Sequence, residues 1–126
     1  MPKATRESAS EHFELEGYEG HFEHFEGGWS VGFERYTADA DLAPLLEGLP
    51  DDRCQCEHLG YVVAGKVAFQ TADREEVFEA GDAYFVAPGH TPRLYAGTEV
   101  IEFSPTAELR RTLEVAARNL EGAGAE

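Results

Sequence analysis

The chain has 126 residues, of which 42% are hydrophobic and 11% aromatic, and it carries a formal net charge of −15. Such a chain can fold as one domain with its own core, and the charge argues against nucleic acid and anionic membrane surfaces as partners. No run approaches the ~20 apolar residues of a membrane span, and the polar start MPKATRESASEHFE lacks the apolar core of a signal peptide. We therefore expect a cytoplasmic protein.

In chain order, residues 1–16 are polar and show no sustained periodicity, which predicts a flexible N-terminal tail. The segment WSVGFERYT alternates apolar with small or polar residues, as a half-buried strand does, and the turn Glu26-Gly27-Gly28 before it predicts a hairpin. The following DADLAPLLEGLPDD predicts a short irregular or one-turn helical connection, because two prolines interrupt it.

Strands dominate the part of the chain that follows Cys56. YVVAGKVAFQT bends at Gly65, EEVFEAGDAYFVAPG bends at Gly81, and a further strand is expected over residues 99–103. Short strands at this spacing, without intervening helices, indicate a β-sandwich or a small barrel. We assign residues 17–105 to this all-β domain.

Residues 106–126 predict a C-terminal helix and a short tail. Ser104 is a suitable N-cap, Pro105 suits the first helical position, and Gly122 suits the end of the helix. One face of the helix is apolar, with Leu109, Leu113, Ala116 and Leu120.

Both cysteines lie next to a histidine at alternate positions, as Cys54, Cys56 and His58 in DDRCQCEHLGYVVAGKV. In an extended strand these three side chains point to one face, which makes a partial site for zinc, iron or copper. Two other interpretations remain open. The thiols could be small buried hydrophobes beside a hydrogen-bonded imidazole, or they could form a disulfide, which would be strained between same-face neighbours.

The glycine at position 65 preceded by YVVA, and then AGDAYFVAPGH, resembles the two sequence motifs of the cupin superfamily. The resemblance covers about residues 50 to 104, and the Gly-Asp, strand and Pro-Gly turn are its most specific part. It implies a double-stranded antiparallel β-barrel of the jelly-roll type, with any metal held inside near one mouth.

The chain departs from the family pattern at the metal ligands. His58 occupies the position of the family's glutamate, and the two histidine positions of the first motif fall on Asp52 and Cys54. In the second motif the histidine position falls on Pro92, while His90 lies two residues earlier. The chain therefore resembles a branch of small bacterial cupins with a Cys-x-Cys-x-His first motif, for which the resemblance implies no specific reaction.

Four donors replace the usual ligand set and form the predicted metal site: Cys54, Cys56, His58 and His90. Two thiolates with imidazoles favour Zn²⁺, with iron, nickel and copper as the other candidates. An open site would bind or convert a small molecule in the barrel, by hydrolysis, isomerisation or oxidation. A closed site would instead leave a non-enzymatic ligand-binding or structural module. The sequence does not decide whether the chain is an enzyme.

Two further features concern the faces of the strands. Glu102 could point inward beside Val100 as a general base, although a solvated carboxylate is the simpler interpretation. Leu59, Tyr61 and Val63 point away from the interior if His58 points into it. Because an outward apolar strip must be covered by the N-terminal strands, by the C-terminal helix or by a second subunit, we expect a homodimer.

Overall fold

The structure of the chain, a computed structural model, describes residues 1–124, so the last two residues of the predicted tail lie outside the described residues. It contains ten strands, two short 3₁₀ turns and one helix. The strands are β1 (Glu11–Leu15), β2 (Tyr18–Phe25), β3 (Trp29–Tyr36), β4 (Ala40–Asp41), β5 (His58–Ala64), β6 (Lys66–Gln70), β7 (Glu75–Glu79), β8 (Ala83–Val86), β9 (Thr91–Leu94) and β10 (Thr98–Pro105). The 3₁₀ turns are Ala43–Leu46 and Pro50–Asp52, and helix α1 is Thr106–Gly124.

The strands form two antiparallel sheets. One sheet has six strands in the order β1-β2-β3-β10-β5-β8, and the other has four in the order β4-β9-β6-β7. Their inner faces pack together through a cluster of buried residues drawn from both sheets: Tyr36, Val62, Val67, Phe69, Tyr84, Val86, Leu94 and Val100. This arrangement confirms the predicted antiparallel jelly-roll barrel with a C-terminal helix. The hairpin turn before β3 and the bends at Gly65 and Gly81 are also where the sequence predicts them.

Helix α1 closes one end of the space between the sheets. Leu109 is buried there with Phe22, Leu46 and Leu49 in a second apolar cluster. The side chain of Asn119 ties the helix to the first 3₁₀ turn by donating hydrogen bonds to two backbone carbonyls. Among the described residues, no helix combines the length and the apolar character needed to cross a membrane.

The termini of the domain differ from the sequence-based prediction. The segment predicted as a flexible tail contains β1, which pairs along its whole length with β2. All five residues of β1 are exposed, so the strand has none of the half-buried periodicity that would reveal it in the sequence. The helix begins at Thr106 and continues past Gly122, and the expected N-cap Ser104 is a buried residue of β10 instead.

Candidate metal site

The backbone holds Cys54 beside His90, although the two residues are far apart in sequence. They form an isolated antiparallel bridge in which the Cys54 N–H donates to the His90 carbonyl (2.8 Å). The Gly89 N–H donates in turn to the Cys54 carbonyl (2.7 Å). The backbone pairing alone therefore places a thiol and an imidazole side by side in the barrel.

His58 is the first residue of β5 and points into the barrel, where it is 7% exposed. Its Nδ1 hydrogen bonds to Ser104 Oγ (2.7 Å) and lies 3.7 Å from a carboxylate oxygen of Glu102. The carboxylate favours a proton on Nδ1 and the serine hydroxyl can accept it, in which case Nε2 keeps its lone pair. That Nε2 is 3.8 Å from the Cys54 sulfur.

The imidazole of His90 has an unsatisfied nitrogen inside the protein. The residue is 1% exposed, and its Nδ1 donates to the Ala87 carbonyl (2.7 Å). Because a carbonyl can only accept, this bond assigns the proton to Nδ1 and leaves Nε2 as an acceptor. Nε2 is buried and has no hydrogen-bond partner among the described residues. A buried polar atom without a partner needs an explanation, and a bound metal ion would supply one.

The three side chains converge. The ligand atoms of Cys54, His58 and His90 all lie within 4.8 Å of one another. Burial lowers the pKa of His58 and of His90 to about 4, so both imidazoles are neutral and able to bind a metal. Burial raises the pKa of the Cys54 thiol, so binding a metal here would release a proton. One thiolate and two imidazoles are donors suited to Zn²⁺ or copper.

Cys56, the fourth predicted ligand, does not join this group. The prediction assumed an extended strand from Cys54 to His58, but β5 begins only at His58 and residues 55–57 are irregular. The same-face rule for alternate residues therefore fails. The Cys56 thiol is fully buried in the second apolar cluster and donates to the Glu57 carbonyl (3.4 Å). Burial and then the neighbouring Cys54 raise its pKa to about 12.

The three donors line a cavity of about 980 Å³ between the sheets and helix α1. Glu102 also lines it, and its carboxylate accepts a hydrogen bond from the Tyr84 hydroxyl. The interpretation of Glu102 as a solvated carboxylate is therefore wrong, because β10 turns this side chain inward between β3 and β5. Burial raises the pKa of Glu102 to about 7.

Glu34 is a cavity residue that the sequence did not single out. It lies opposite Val100 in the β3–β10 register, and its carboxylate accepts a hydrogen bond from the Tyr18 hydroxyl (2.8 Å). Burial, followed by repulsion from Glu102, raises its pKa to about 7. The alternation in WSVGFERYT could have pointed to Glu34, because it puts this residue on the same face of the strand as Ser30 and Gly32.

A second group of potential ligands is more exposed than the first. His12, Glu19 and His21 bring their ligand atoms within 4.8 Å of one another on β1 and β2. The guanidinium of Arg6 is 3.7 Å from the Glu19 carboxylate, and the His12 and His21 rings stack at 4.2 Å. A cation beside Glu19 would be repelled by Arg6. This group is therefore a poorer metal site than the buried one.

Comparison with solved structures identifies the fold. A protein of unknown function from Rhizobium leguminosarum bv. viciae 3841 superposes with a TM-score of 0.62 and 16% identity over 83% of this chain and 96% of that chain. An RmlC-like cupin from Shewanella frigidimarina NCIMB 400 superposes with a TM-score of 0.57 and 16% identity over 82% of this chain and 88% of that chain. For the polyketide cyclase RemF from Streptomyces resistomycificus the TM-score is 0.57 and the identity 13%, over 84% of this chain and 80% of that chain.

No protein-family model matches the chain, and neither does any curated protein sequence. The structural likeness is accordingly a likeness of fold. The chain has the β-barrel fold of a small cupin domain, as the Gly-Asp and Pro-Gly motifs imply, and a Cys/His cluster lies inside its barrel.

Proposed function

We propose that this chain is a metal-dependent cupin that binds a small molecule in its barrel, next to a zinc ion held by Cys54, His58 and His90. The unpartnered, buried Nε2 of His90 is the observation that carries the proposal. His90 belongs to a group with one thiol and a second imidazole in which the ligand atoms lie within 4.8 Å of one another. A metal ion would satisfy all three at once.

Three protein ligands favour an open site over a closed one. Structural zinc sites have four protein ligands, whereas catalytic sites have three and leave a position for water or substrate. The remaining predicted ligand, Cys56, does not lie with these three donors. The cavity beside the three donors has the volume of a small-molecule site. We therefore favour a ligand-binding or catalytic role over a purely structural one.

The surrounding residues would orient the ligands and handle protons. Ser104 and Glu102 fix the ring of His58 from the side opposite the metal, which is the usual support for a ligating histidine. Glu102, whose pKa is about 7, is suited to accept or release a proton near neutral pH. When bound, zinc would supply Lewis acidity or an activated water.

The first prediction is that the protein binds close to one equivalent of Zn²⁺ per chain. After stripping with a chelator and reconstitution, elemental analysis of the desalted protein measures the stoichiometry. Parallel reconstitutions with iron, nickel and copper rank the other candidate metals. Less than about a tenth of an equivalent of every metal would refute the proposal.

We also propose that the chain is a homodimer, joined through the outer face of the six-stranded sheet. Leu59 (50% exposed), Tyr61 (46%) and Phe85 (56%) form an apolar strip there, which continues onto Phe103 of β10. Neither the N-terminal strands nor helix α1 covers it. A second copy of the same face would bury it by two-fold symmetry.

The second prediction follows from this strip. Light scattering at micromolar concentration should give about twice the 13.9 kDa mass of one chain. Leu59→Glu should give the mass of a monomer, because the charge would be buried in the interface. Val77→Glu is the matched control: Val77 is 47% exposed but lies on β7 of the other sheet, so the dimer should persist. A monomeric wild-type protein would contradict the proposal.

A further inference from the structure

The cavity has an unusual charge distribution. Six carboxylate side chains line it, and no lysine or arginine does so among the described residues. Four of the six are exposed and so lie at its mouth: Glu14, Glu16, Asp39 and Asp41. The other two, Glu34 and Glu102, lie deeper. The mouth therefore attracts cations and repels anions before any contact is made.

The two inner carboxylates are neighbours without a positive partner. Glu34 on β3 and Glu102 on β10 are diagonal neighbours across the strand pair, since Glu34 lies opposite Val100 and Glu102 lies opposite Gly32. Each accepts a hydrogen bond from a tyrosine hydroxyl: Glu34 from Tyr18, and Glu102 from Tyr84. A neutral hydroxyl stabilises a carboxylate less than a cation does. The fold thus holds two carboxyl groups close together with no cation beside them in the described part of the chain, and a bound cation would favour the ionised form of both.

A separate observation supports a ligand in the same cavity. His90 lines it, and the buried Nε2 of this residue has no hydrogen-bond partner among the described residues. Much of the remaining wall is apolar or aromatic, including Phe22, Tyr36 and Phe69. Such walls suit the apolar part of a ligand, and aromatic faces also attract cations.

We infer that the cavity binds an apolar molecule carrying a protonated amine, with the ammonium group held by Glu34 and Glu102. The fold has already desolvated these carboxylates, so an incoming cation gains their attraction and loses only its own hydration. An anionic ligand of the same shape would instead meet six carboxylates. The inference deepens the proposed function, since it names the ligand class of the cavity beside the metal site, but amine binding needs no metal.

The test compares three probes that share one phenylalkyl body: phenethylamine, phenethyl alcohol and hydrocinnamate. Isothermal titration near neutral pH, on metal-free and on zinc-loaded protein, measures each affinity. In the metal-free protein we expect the amine to bind at least about tenfold more tightly than the alcohol, and hydrocinnamate to show no binding. Equal or tighter binding of hydrocinnamate, or no binding of the amine at millimolar concentration, would overturn the inference.

Variants locate the ammonium group. Glu34→Gln should lower the affinity for the amine at least about tenfold and change the affinity for the alcohol less than about twofold. The unchanged alcohol affinity also verifies that the cavity is intact. Glu14→Gln at the mouth is the matched control and should change the affinity for the amine less than about threefold, because solvent screens an exposed charge. An unchanged amine affinity in Glu34→Gln would overturn the inference. Zinc loading is measured independently, so failure of the metal site and failure of amine binding are distinguishable.

Discussion

Replacing His90 by alanine should lower the affinity for Zn²⁺ at least about a hundredfold, since losing even an outer partner of a ligand costs 10- to 100-fold. Cys54→Ser should have an effect of similar size, because a serine hydroxyl is not deprotonated at neutral pH and is a poor zinc ligand. Competition with a chromophoric chelator measures these affinities. Circular dichroism of each variant verifies that the barrel has folded, which matters because His90 is almost fully buried.

The matched control for these variants is Cys56→Ser. Cys56 is as buried as Cys54 and only two residues away, but its thiol faces the Glu57 carbonyl and not the histidines. The zinc affinity of the Cys56→Ser variant should remain within about threefold of the wild-type value. If Cys56→Ser lost the metal while Cys54→Ser retained it, the ligand set would have to include Cys56 and exclude Cys54.

The contrast between the two cysteines shows why only part of the site could be predicted from the sequence. The cluster of thiols and imidazoles was visible, and the resemblance to cupins implied that the Pro-Gly turn before His90 lies at the barrel mouth. The faces could not be assigned, because alternation applies only within a strand and β5 begins at His58. The pairing of Cys54 with His90 is a long-range contact that no local pattern encodes.

The cavity carboxylates escaped prediction for a different reason. Sequence patterns assume that apolar residues face inward and charged residues face solvent. On β3 the polar face, with Gly32 and Glu34, lines the cavity, while Trp29 on the opposite face is 44% exposed. The interior of this barrel is partly a binding cavity and not wholly a packed core. Strands β5 to β8 were predictable because glycine turns at Gly65 and Gly81 interrupt the sequence whichever face is buried.

Gly65, the turn between β5 and β6, should be among the least replaceable residues of the barrel. Its φ is +74°, and a Cβ added there would lie 2.6 Å from the Thr98 Cα. Thr98 cannot retreat, because it is fully buried and its hydroxyl accepts from the Lys66 N–H (3.1 Å) and donates to the Lys66 carbonyl (2.8 Å). Left-handed strain costs about 1–2 kcal/mol and overpacking about 1–3 kcal/mol, so Gly65→Ala should destabilise the fold by about 3 kcal/mol.

Gly97→Ala separates the two contributions. Gly97 also has a positive φ, +88°, but nothing lies within 4 Å of an added Cβ, so this variant should lose only the about 1–2 kcal/mol of backbone strain. Urea unfolding of both variants measures the difference, and in thermal unfolding Gly65→Ala should fall about 10 °C below the wild type. Equal losses in the two variants would show that β10 moves to accommodate the methyl group. The turn at Gly65 would then not fix the position of β5, nor that of His58 at its start.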